Sequence, residues 1–417
     1  MDNQQRYGVI VDGYSSGAGL VSEFNKFGIN CLHVQSMENI PDVYLKTFNS
    51  KLYTKEFYFN NNIDELLNLL KQYNPIFAIT GSEPGVELAD LIAGHLNLPA
   101  SNPLKTSAHR RNKYLMHEQL KNNGLAYINQ FKSSAVNEIL NWAENLAKWP
   151  VVVKPLKSAG GDRVKICYSK DDIISGCNEI LTTTPNMLRI IDEEVLIQEH
   201  IDAPEIAVNT IQYNGKSYLC EIVQFHKILI GNNRKVYDYA CLLPFNSYTS
   251  NLVDYAYQVA NVLDIQYGPM HAEVFMTPTK PILIEAAARL MGANVPIELM
   301  QECLTHPQTY MNVLAYTNPD EFLLRVKSCP RIKKNMRIVF LISNIEGSLA
   351  KINYIEKIKS LSSFYDIKIR VTEKIHLTID YDTSPGLIYL CHEDDNILLQ
   401  DYLIIRKLEK NNMYEVY

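Results

Sequence analysis

The first hundred residues alternate between apolar, strand-like runs and amphipathic, helix-like stretches, and this alternation limits the possible folds more than any other feature. Strand-like runs cover residues 7–11, 29–34 and 76–80, and residues 63–73 have the spacing of a helix. The pattern predicts a parallel sheet with helices on both faces. Ligands of such sheets bind near the carboxyl ends of the strands, so the turn at residues 81–83 is a candidate part of a site.

Composition and charge are those of an ordinary globular protein. The chain has 417 residues, of which 47% are apolar and 21% are charged. That length allows two or more domains with cores of their own. The formal net charge is −6, and the sequence contains no basic block and no acidic tail. Neither nucleic acid nor an anionic membrane is therefore expected as a partner.

The sequence favours a cytoplasmic location. The first six residues carry no signal-peptide core, and no apolar run is long enough to cross a bilayer. The eight cysteines are scattered and form no CxxC pair. We expect reduced thiols, most of them buried, in a cytosolic protein.

Two acidic residues in the second half of the chain follow a strand pattern. Glu273 lies in the strand-like run 271–275, and Glu285 follows the apolar run 282–284, with Arg289 shortly after it. Neighbouring strands can present both carboxylates on one face. Paired carboxylates suit Mg²⁺, which binds through one or two carboxylates and substrate phosphates, and an arginine can offset phosphate charge. Read separately, the same residues are two strand-end acids and a surface arginine.

Two lysines and a loop are the candidates for binding phosphate. Lys154 ends an apolar strand before a proline, so we expect its ammonium to face a cleft, where it needs an anionic partner. Lys113 lies in a basic helix start, which is also typical of a solvated helix face. The loop at residues 157–161 is rich in small residues whose N–H groups can approach phosphates, although the same residues suit a plain hairpin turn.

Further polar positions also have two interpretations. Residues 198–201 end an apolar strand and can offer backbone groups to a purine edge, and Glu205 can accept from ribose hydroxyls; an ordinary strand and turn fits equally well. His271 stands two residues before Glu273 and so shares its strand face. It can contact a substrate or simply satisfy a hydrogen bond in the core.

The segment after the first strand matches a dinucleotide-binding turn only in part. Residues 16–22 read SGAGLVS, which places Ser22 where the GxGxxG fingerprint requires glycine. Tight strand-to-helix turns use glycine anyway. A dehydrogenase is therefore the weakest of the functional hypotheses.

In their order along the chain, these elements resemble the ATP-grasp superfamily of carboxylate–amine ligases. The resemblance implies an α/β fold with α+β lid modules: an N-terminal Rossmann-like parallel-sheet domain, a mobile lid, and a C-terminal nucleotide- and metal-binding domain. It implies a Rossmann-like domain at 1–108, the first ATP-grasp part with the lid at 109–200, the second part with the metal site at 201–330, and a small α+β module at 331–417. The implied cofactors are ATP and Mg²⁺ or Mn²⁺.

The resemblance also implies a role for each candidate residue. The implied catalytic residue is Arg289, and the implied metal ligands are Glu273 and Glu285; His271 is a second catalytic candidate because of its position on the strand of Glu273. The implied nucleotide contacts comprise two phosphate-binding lysines, a phosphate-covering loop, an adenine hinge and a ribose-binding acid: Lys113, Lys154, Ser158, Gly160, Gly161, Gln198, Glu199, His200, Ile201 and Glu205.

Within the superfamily, the chain resembles most the L-amino acid ligases and the dipeptide- or amide-forming ligases of natural-product pathways. The turn at residues 81–83, the spacing from residues 111–113, and the C-terminal module with residues 384–386 carry this resemblance. It implies small-molecule carboxylate and amine substrates, recognition of the amine by Glu83, a substrate contact at Gly292, and a homodimer as a candidate assembly.

One position departs from the family pattern and keeps other functions open. Many members carry Asn two residues after the second metal acid, where this chain has Ala287. Phosphates and water can complete the coordination of Mg²⁺, so the main hypothesis remains a ligase that forms an amide through an acyl phosphate. The alternatives are an ATP-grasp enzyme that uses bicarbonate or another nucleophile, and a nucleotide-binding protein without ligase activity.

Overall fold

The structure is a computed structural model, and it describes residues 5–230 and 234–417. The first four residues, part of the stretch predicted to lack a signal-peptide core, lie outside the described residues. Within the described ranges the strands form four sheets. Three of these sheets border the candidate site.

The N-terminal unit is a parallel sheet covered by helices, which confirms the prediction from the alternating pattern. Its elements are β1 (Arg6–Val11), α1 (Leu20–Lys26), β2 (Ile29–Gln35), α2 (Asp42–Leu45), β3 (Lys55–Tyr58), α3 (Ile63–Lys71), β4 (Ala78–Thr80) and α4 (Val86–His95). The strand order is β3-β2-β1-β4. Val9 and Val11 pack into one buried cluster and Ile10 into another, because alternate residues of a strand face opposite sides of the sheet.

One strand of this sheet was missed by the sequence pattern. β3 has a single buried residue, Phe57, between exposed and half-buried neighbours, and it lies at the edge of the sheet. Edge strands carry charged residues that discourage further pairing. Such a strand has too weak a hydrophobic pattern to be found from the sequence.

The second unit is an antiparallel sheet with two helices on one face. Its elements are β5 (Gln130–Ser133), α6 (Val136–Leu146), β6 (Val151–Pro155), β7 (Lys165–Cys167), α7 (Lys170–Ile180) and β8 (Val195–Glu199). The strand order is β5-β8-β6-β7. Val151 and Val153 pack in a core with the helices, so Val152 and Lys154 face the opposite side, where a cleft opens.

An eight-stranded antiparallel sheet is the largest part of the scaffold. Its first half and the helices beside it are α5 (Lys113–Asn122), β9 (Glu205–Tyr213), β10 (Lys216–Ile230), β11 (Arg234–Leu243), α8 (Ser250–Val262), β12 (Gly268–Met276) and β13 (Pro281–Ala287). Met116, Leu120 and Val259 from the two helices share a buried cluster with these strands. Asn214 and Gly215 both have positive φ, 51° and 71°, and close the β9–β10 hairpin as an Asn-Gly turn predicts.

The C-terminal part of the chain continues the same sheet. Its elements are α9 (Ile297–Cys303), α10 (Gln308–Thr317), α11 (Pro319–Arg325), β14 (Asn335–Phe340), β15 (Gly347–Ile352), α12 (Ile355–Lys359), β16 (Phe364–Ile369), β17 (Lys374–Ile375), β18 (Gly386–His392), α13 (Asp395–Lys410) and β19 (Tyr414–Val416). The large sheet has the order β13-β12-β9-β10-β11-β14-β18-β16, and β17-β15-β19 form a small separate sheet. Strand pairing thus crosses residue 330, where the sequence predicted a unit boundary, and the four domain boundaries stay predictions.

Two further observations concern the cysteines and the helices of the described residues. Every cysteine there is free, and five of the eight are buried. A bilayer-spanning helix needs about 20 apolar residues, and no helix in residues 5–230 and 234–417 meets that requirement.

Candidate active site

A cleft between the four-stranded antiparallel sheet and the β9–β13 half of the large sheet collects the residues predicted to bind the nucleotide. We call it the inner cleft. All ten predicted nucleotide contacts line it, together with both predicted metal ligands. Apolar side chains form part of its wall: Ile128, Val152, Val164, Ile166, Phe275 and Ile284. An apolar slot beside several cations is a suitable environment for a flat base carrying phosphates.

The two acids predicted to lie side by side do so. Glu273 on β12 and Glu285 on β13 are direct partners in the strand register, which confirms the predicted juxtaposition. His271 lies on the same face of β12 and is opposite Ala287. Burial disfavours a charged carboxylate, but contacts with His271 and the nearby cations Lys227 and Arg289 lower the pKa of Glu273 to about 2. Glu273 is thus held as a carboxylate despite its burial.

The two predicted phosphate-binding lysines both reach the inner cleft. Lys113 is at the start of α5, and its Nζ lies 2.7 Å from Glu285 Oε2 and donates to the carbonyl of Ser158 at 2.9 Å. Lys154 is 6% exposed, and burial together with the charge of Lys113 lowers its pKa to about 8. Among the described residues no carboxylate forms an ion pair with Lys154. A buried ammonium group of this kind is suited to an incoming anion.

The loop between β6 and β7 covers the inner cleft. It is a hairpin connection, as one interpretation of the sequence had it, and it also lines the cleft; its contact with phosphates stays a prediction. Ser158 Oγ donates to Asp162 Oδ2 at 2.7 Å, and Gly160 and Gly161 have φ values of 66° and 82°, which favour glycine. The backbone N–H of Tyr381 donates to the carbonyl of Gly160 at 3.1 Å. This bond connects the loop to the C-terminal part of the chain.

The predicted hinge and ribose-binding acid lie at one end of the inner cleft. Gln198 is buried and its Nε2 donates to Gln130 Oε1 at 3.1 Å. Within the described residues, no backbone hydrogen bond uses the N–H of Ile201, so that group is available to a base edge. Glu205 forms an ion pair with Lys227. Both carboxylate and ammonium line the cleft.

Lys227 is a cleft residue to which the sequence assigned no role of its own, although residues 226–239 were expected to line a pocket. Its Nζ lies 4.5 Å from the ring centre of Tyr237, its partner on β11. Burial alone would lower the pKa of Lys227, but Glu205 outweighs burial and raises it. The cation lies far along a long strand whose outer end is partly exposed, so the sequence contains no local signal for its function.

A second and larger cavity, of about 960 Å³, lies on the other side of the acid pair. We call it the outer cavity. Residues of the N-terminal unit, the large sheet and the C-terminal part line it, and they include the predicted site residues Glu83, His271, Arg289 and Gly292. The inner cleft and the outer cavity share five lining residues: Ala159, Gly160, Tyr237, Glu273 and Glu285. The carboxylate pair is therefore located where the two spaces meet.

Glu83 is held between two arginines. Arg111 Nη1 donates to Glu83 Oε1, and Arg289 Nε donates to Glu83 Oε2, each at 2.5 Å. Burial would raise the pKa of Glu83, but the two guanidinium groups outweigh it and lower the pKa to about 2. Both carboxylate oxygens are thus bound to arginines, whereas the sequence predicted a substrate amine as the partner. These contacts favour a positioning role, and the amine contact stays a prediction.

Arg289 follows β13 and lines the outer cavity next to the acid pair. Besides Glu83, it contacts its own segment, with Nη1 donating to the carbonyl of Leu290 at 2.8 Å. Within the described residues Nη2 has no hydrogen-bond partner. A guanidinium group fixed through Nε and Nη1 can direct Nη2 toward a substrate oxygen.

The polar side chains of Glu221, Asn209 and His271 form a hydrogen-bonded row that reaches Glu273, and the sequence did not predict this row. Glu221, Asn209, His271 and Ala287 are consecutive register partners on β10, β9, β12 and β13. Asn209 Nδ2 donates to Glu221 Oε1 at 2.9 Å, and its Oδ1 lies 2.7 Å from His271 Nδ1. His271 Nε2 is 3.2 Å from Glu273 Oε1. Only the strand register brings these distant residues together.

Comparisons with known proteins identify the family. The family described as ATP-grasp domain matches residues 147–297. Dapdiamide A synthase of Enterobacter agglomerans is 33% identical over 419 residues, which cover 98% of this chain and 96% of that protein. The chain belongs to the ATP-grasp family. It is an ATP-dependent carboxylate–amine ligase that binds ATP with a divalent metal ion.

A second relative and a solved structure are also similar to this chain. The L-arginine-specific L-amino acid ligase of Bacillus subtilis is 20% identical over 298 residues, which cover 70% of this chain and 69% of that protein. The crystal structure of an L-amino acid ligase from Bacillus licheniformis superposes with a TM-score of 0.75 at 16% identity, covering 97% of this chain and 98% of that one. The ATP-grasp fold predicted from the sequence is confirmed.

The acid pair fits the divalent ion that this ATP-grasp fold requires. Glu273 and Glu285 offer hard oxygen donors from adjacent strands, and the ammonium of Lys113 lies 2.7 Å from Glu285, so the position already accommodates a cation. Within the described part of the chain, no group of three or more His, Cys, Asp or Glu side chains is arranged around a common point. Phosphate oxygens and water would complete the coordination, as is usual for Mg²⁺.

Proposed function

We propose that the protein joins the carboxylate of an amino acid or similar small acid to the amine of an amino acid, through an acyl-phosphate intermediate. The observation that carries this proposal is the acid pair, Glu273 and Glu285, which borders both the inner cleft and the outer cavity. Transfer of a phosphoryl group from ATP to a second substrate requires the two to meet at such a point. The names of the relatives, a dapdiamide synthase and L-amino acid ligases, support the choice of substrates.

The inner cleft provides the contacts that would position ATP. Lys113 and Lys154 would neutralise phosphate oxygens, and the N–H groups of the loop with Gly160 and Gly161 would lie over them. The apolar wall and the hinge at residues 198–201 would hold the base, and Glu205 would accept from the ribose hydroxyls. Most of the catalysis then comes from positioning and electrostatics.

We propose Mg²⁺ as the divalent ion, with Glu273 and Glu285 as its protein ligands. When bound, it would neutralise charge on the β- and γ-phosphates. We choose Mg²⁺ over Mn²⁺ because Mg²⁺ usually binds through one or two carboxylates together with substrate phosphates. Equal activity with Mn²⁺ alone, at matched concentration, would remove this preference.

The reaction itself would take place on the outer-cavity side of the acid pair. An oxygen of the substrate carboxylate attacks the γ-phosphorus, and the bond to the bridging β–γ oxygen breaks, so ADP leaves. The amine nitrogen then attacks the acyl carbon, loses a proton, and phosphate leaves. Arg289, held in place by Glu83, would offset the charge on the oxygens of the acyl phosphate and of the tetrahedral centre.

The proposal is tested by measuring phosphate release with ATP and Mg²⁺ across a panel of amino acids and small carboxylic acids, singly and in pairs, with hydroxylamine as a trap. We expect phosphate release that depends on one acid, with formation of its hydroxamate, and a product with an amide bond when an amino acid replaces hydroxylamine. Phosphate release without any hydroxamate, for every acid in the panel, would contradict an acyl-phosphate intermediate. Light scattering of the same preparation tests the predicted homodimer.

A further inference from the structure

Two cations of the C-terminal part line the outer cavity side by side. Lys368 lies on β16, Arg370 follows the end of that strand, and both side chains line the outer cavity. The sequence did not single out either residue. Both line the outer cavity, and neither lines the inner cleft that contains Lys113 and Lys154.

Neutral groups hold this cation pair in place. Lys368 Nζ donates to the carbonyl of Asn294 at 2.7 Å and lies 5.2 Å from the ring centre of Tyr389. Arg370 Nη1 donates to the carbonyl of Tyr381 at 2.8 Å, and its guanidinium group lies 4.0 Å from the ring centre of the same tyrosine. Both cations are thus fixed by carbonyls and aromatic rings, which orient the side chains without neutralising them.

No carboxylate among the described residues forms an ion pair with Lys368 or Arg370. Asp382 also lines the outer cavity; burial raises the pKa of its carboxyl group, while the charge of Arg370 opposes that rise. Burial and the neighbouring Arg370 both lower the pKa of Lys368, with Asp366 and Glu298 acting in the opposite direction. Two adjacent, partly buried cations with only neutral contacts form a site suited to an anion.

The same contacts connect Lys368 and Arg370 to the segment that follows Arg289 and to the loop that covers the inner cleft. Asn294, which accepts from Lys368, lies in the segment that follows Arg289. Tyr381, whose carbonyl accepts from Arg370, donates its backbone N–H to the carbonyl of Gly160 in the loop that covers the inner cleft. An anion bound here would lie in the outer cavity beyond the point where the acyl phosphate forms.

We propose that Lys368 and Arg370 bind the carboxylate that the reaction does not consume, namely the α-carboxylate of the amino acid that supplies the amine. This inference rests on the proposed function. The activated carboxylate must reach Arg289 and the acid pair, whereas an amino acid that acts through its amine keeps its own carboxylate ionised. A second cation site in the outer cavity matches that requirement.

The first test uses the wild-type enzyme and needs no substitution. With the acid and amino acid identified by the panel, we expect the KM for the amino acid to be about 10- to 100-fold lower than for its carboxamide, the range given by a charge-assisted hydrogen bond. Equal KM values for the amino acid and the carboxamide would overturn the inference. The proposed function would stand in that case, because hydroxamate formation tests it independently.

The second test uses Lys368→Gln, Arg370→Gln and the double variant, with Lys357→Gln as a matched control. Lys357 is exposed on α12 and lines neither the inner cleft nor the outer cavity. We expect the double variant to raise the KM for the amino acid about 10- to 100-fold, to leave the KM for the carboxamide unchanged, and to form hydroxamate at the wild-type rate. The control should be unchanged in all three assays.

Two results of the second test would overturn the inference. An unchanged KM for the amino acid in the double variant would show that the cation pair does not bind it. A parallel loss of hydroxamate formation in a folded variant would show that the pair serves the activated acid instead. Arg370→Lys, which keeps the charge, should retain most of the wild-type affinity if Gln variants unfold. If the wild-type enzyme forms no hydroxamate with any acid, both this inference and the proposed function fall.

Discussion

The inner cleft and the outer cavity differ in how their charges are arranged. In the inner cleft, Lys154 is a buried cation without an ion-pair partner among the described residues, on a strand of one sheet that faces carboxylates on strands of another. In the outer cavity, Glu83 is already neutralised by two arginines, and the remaining cations lie at strand ends and loops. In the proposed function, the inner cleft receives the charges of ATP and the outer cavity receives the two substrates. Charges that must match one cofactor are best held on regular strands, whereas selection of substrates can vary with loops.

The largest effect should follow from substitution at the junction of the two spaces. Glu285→Gln keeps the size of the side chain but removes one of the two carboxylates proposed to hold the metal ion. We expect acid-dependent phosphate release to fall by at least about 10⁴-fold, because several kcal/mol of charge stabilisation are lost. Glu298→Gln, an exposed acid at the start of α9, is the control. Turnover above one tenth of wild type in Glu285→Gln would contradict the role of the acid pair.

The second-largest effect should be on the free energy of unfolding when Glu83, the outer-cavity acid that two arginines neutralise, is substituted. Glu83→Gln leaves Arg111 and Arg289 without their carboxylate partner, and loss of one member of a buried ion pair costs about 3–5 kcal/mol. We expect a loss of unfolding free energy of that size in urea. Glu87→Gln, which breaks a half-exposed pair with Lys157, should cost less than about 1 kcal/mol.

The same Glu83 variant separates two roles. If Glu83 positions Arg289, hydroxamate formation falls, because hydroxylamine still requires the acyl phosphate. If Glu83 instead recognises the substrate amine, hydroxamate forms at the wild-type rate and only amide formation with an amino acid declines. The second result would contradict the positioning role proposed from the contacts.

The folding stability is expected to depend on pH through Glu221, the buried acid of the row that includes Asn209 and His271. Burial raises the pKa of Glu221 from 4.5 to about 7, so the folded protein binds this proton more tightly than the unfolded chain does. The resulting stabilisation is complete below about pH 4.5 and is lost as the pH rises through about 7; it amounts to at most about 3 kcal/mol. Wild type should therefore lose more stability than Glu221→Gln between pH 5 and pH 8.

The measurement for Glu221 is urea unfolding of both proteins at the two pH values. The contributions of other titrating groups cancel when the pH-dependent change in unfolding free energy of one protein is subtracted from that of the other. Only this difference matters, because the substitution also alters the hydrogen bonds with Asn209 and Gln308 in a way that does not depend on pH. An equal pH-dependent change in both proteins would contradict the assignment.

The smallest effect should come from the polar row that orients His271. Asn209→Leu preserves size but removes the hydrogen bonds to His271 and Glu221. Loss of such supporting contacts near a metal site costs about 10- to 100-fold in activity or metal affinity. We expect kcat to fall in that range, with Gln212→Leu on the same strand as the control. Unchanged kcat and unchanged Mg²⁺ dependence would show that the row is only structural.

The inner cleft could be predicted from the sequence because its signals are local. Lys154 and Glu285 each follow an apolar run and lie near the end of a strand, and His271 and Glu273 lie two residues apart on one strand. Residues that end buried strands face a site by simple geometry. The predicted pairing of Glu273 with Glu285 needed only the assumption that the two strands are neighbours.

Single residues of the outer cavity could be predicted, among them Glu83 and Arg289, but the contacts between its residues could not. The two arginines that hold Glu83 are 28 and 206 residues away from it along the chain. Lys368 lies on a strand whose residues are all half-buried or exposed, so its sequence gives no clear pattern. Contacts of this kind depend on how three units assemble, and a single sequence contains no local record of that assembly.

The central claim is that one phosphoryl group passes from ATP to the substrate carboxylate at the junction of the two spaces. The most direct measurement uses the acid found in the panel, labelled with ¹⁸O in its carboxylate, and mass analysis of the phosphate released during amide formation. An acyl phosphate transfers one carboxylate oxygen to phosphate, so the account predicts one ¹⁸O atom in each phosphate molecule formed from fully labelled acid. Unlabelled phosphate, released at the rate of amide formation, would contradict it.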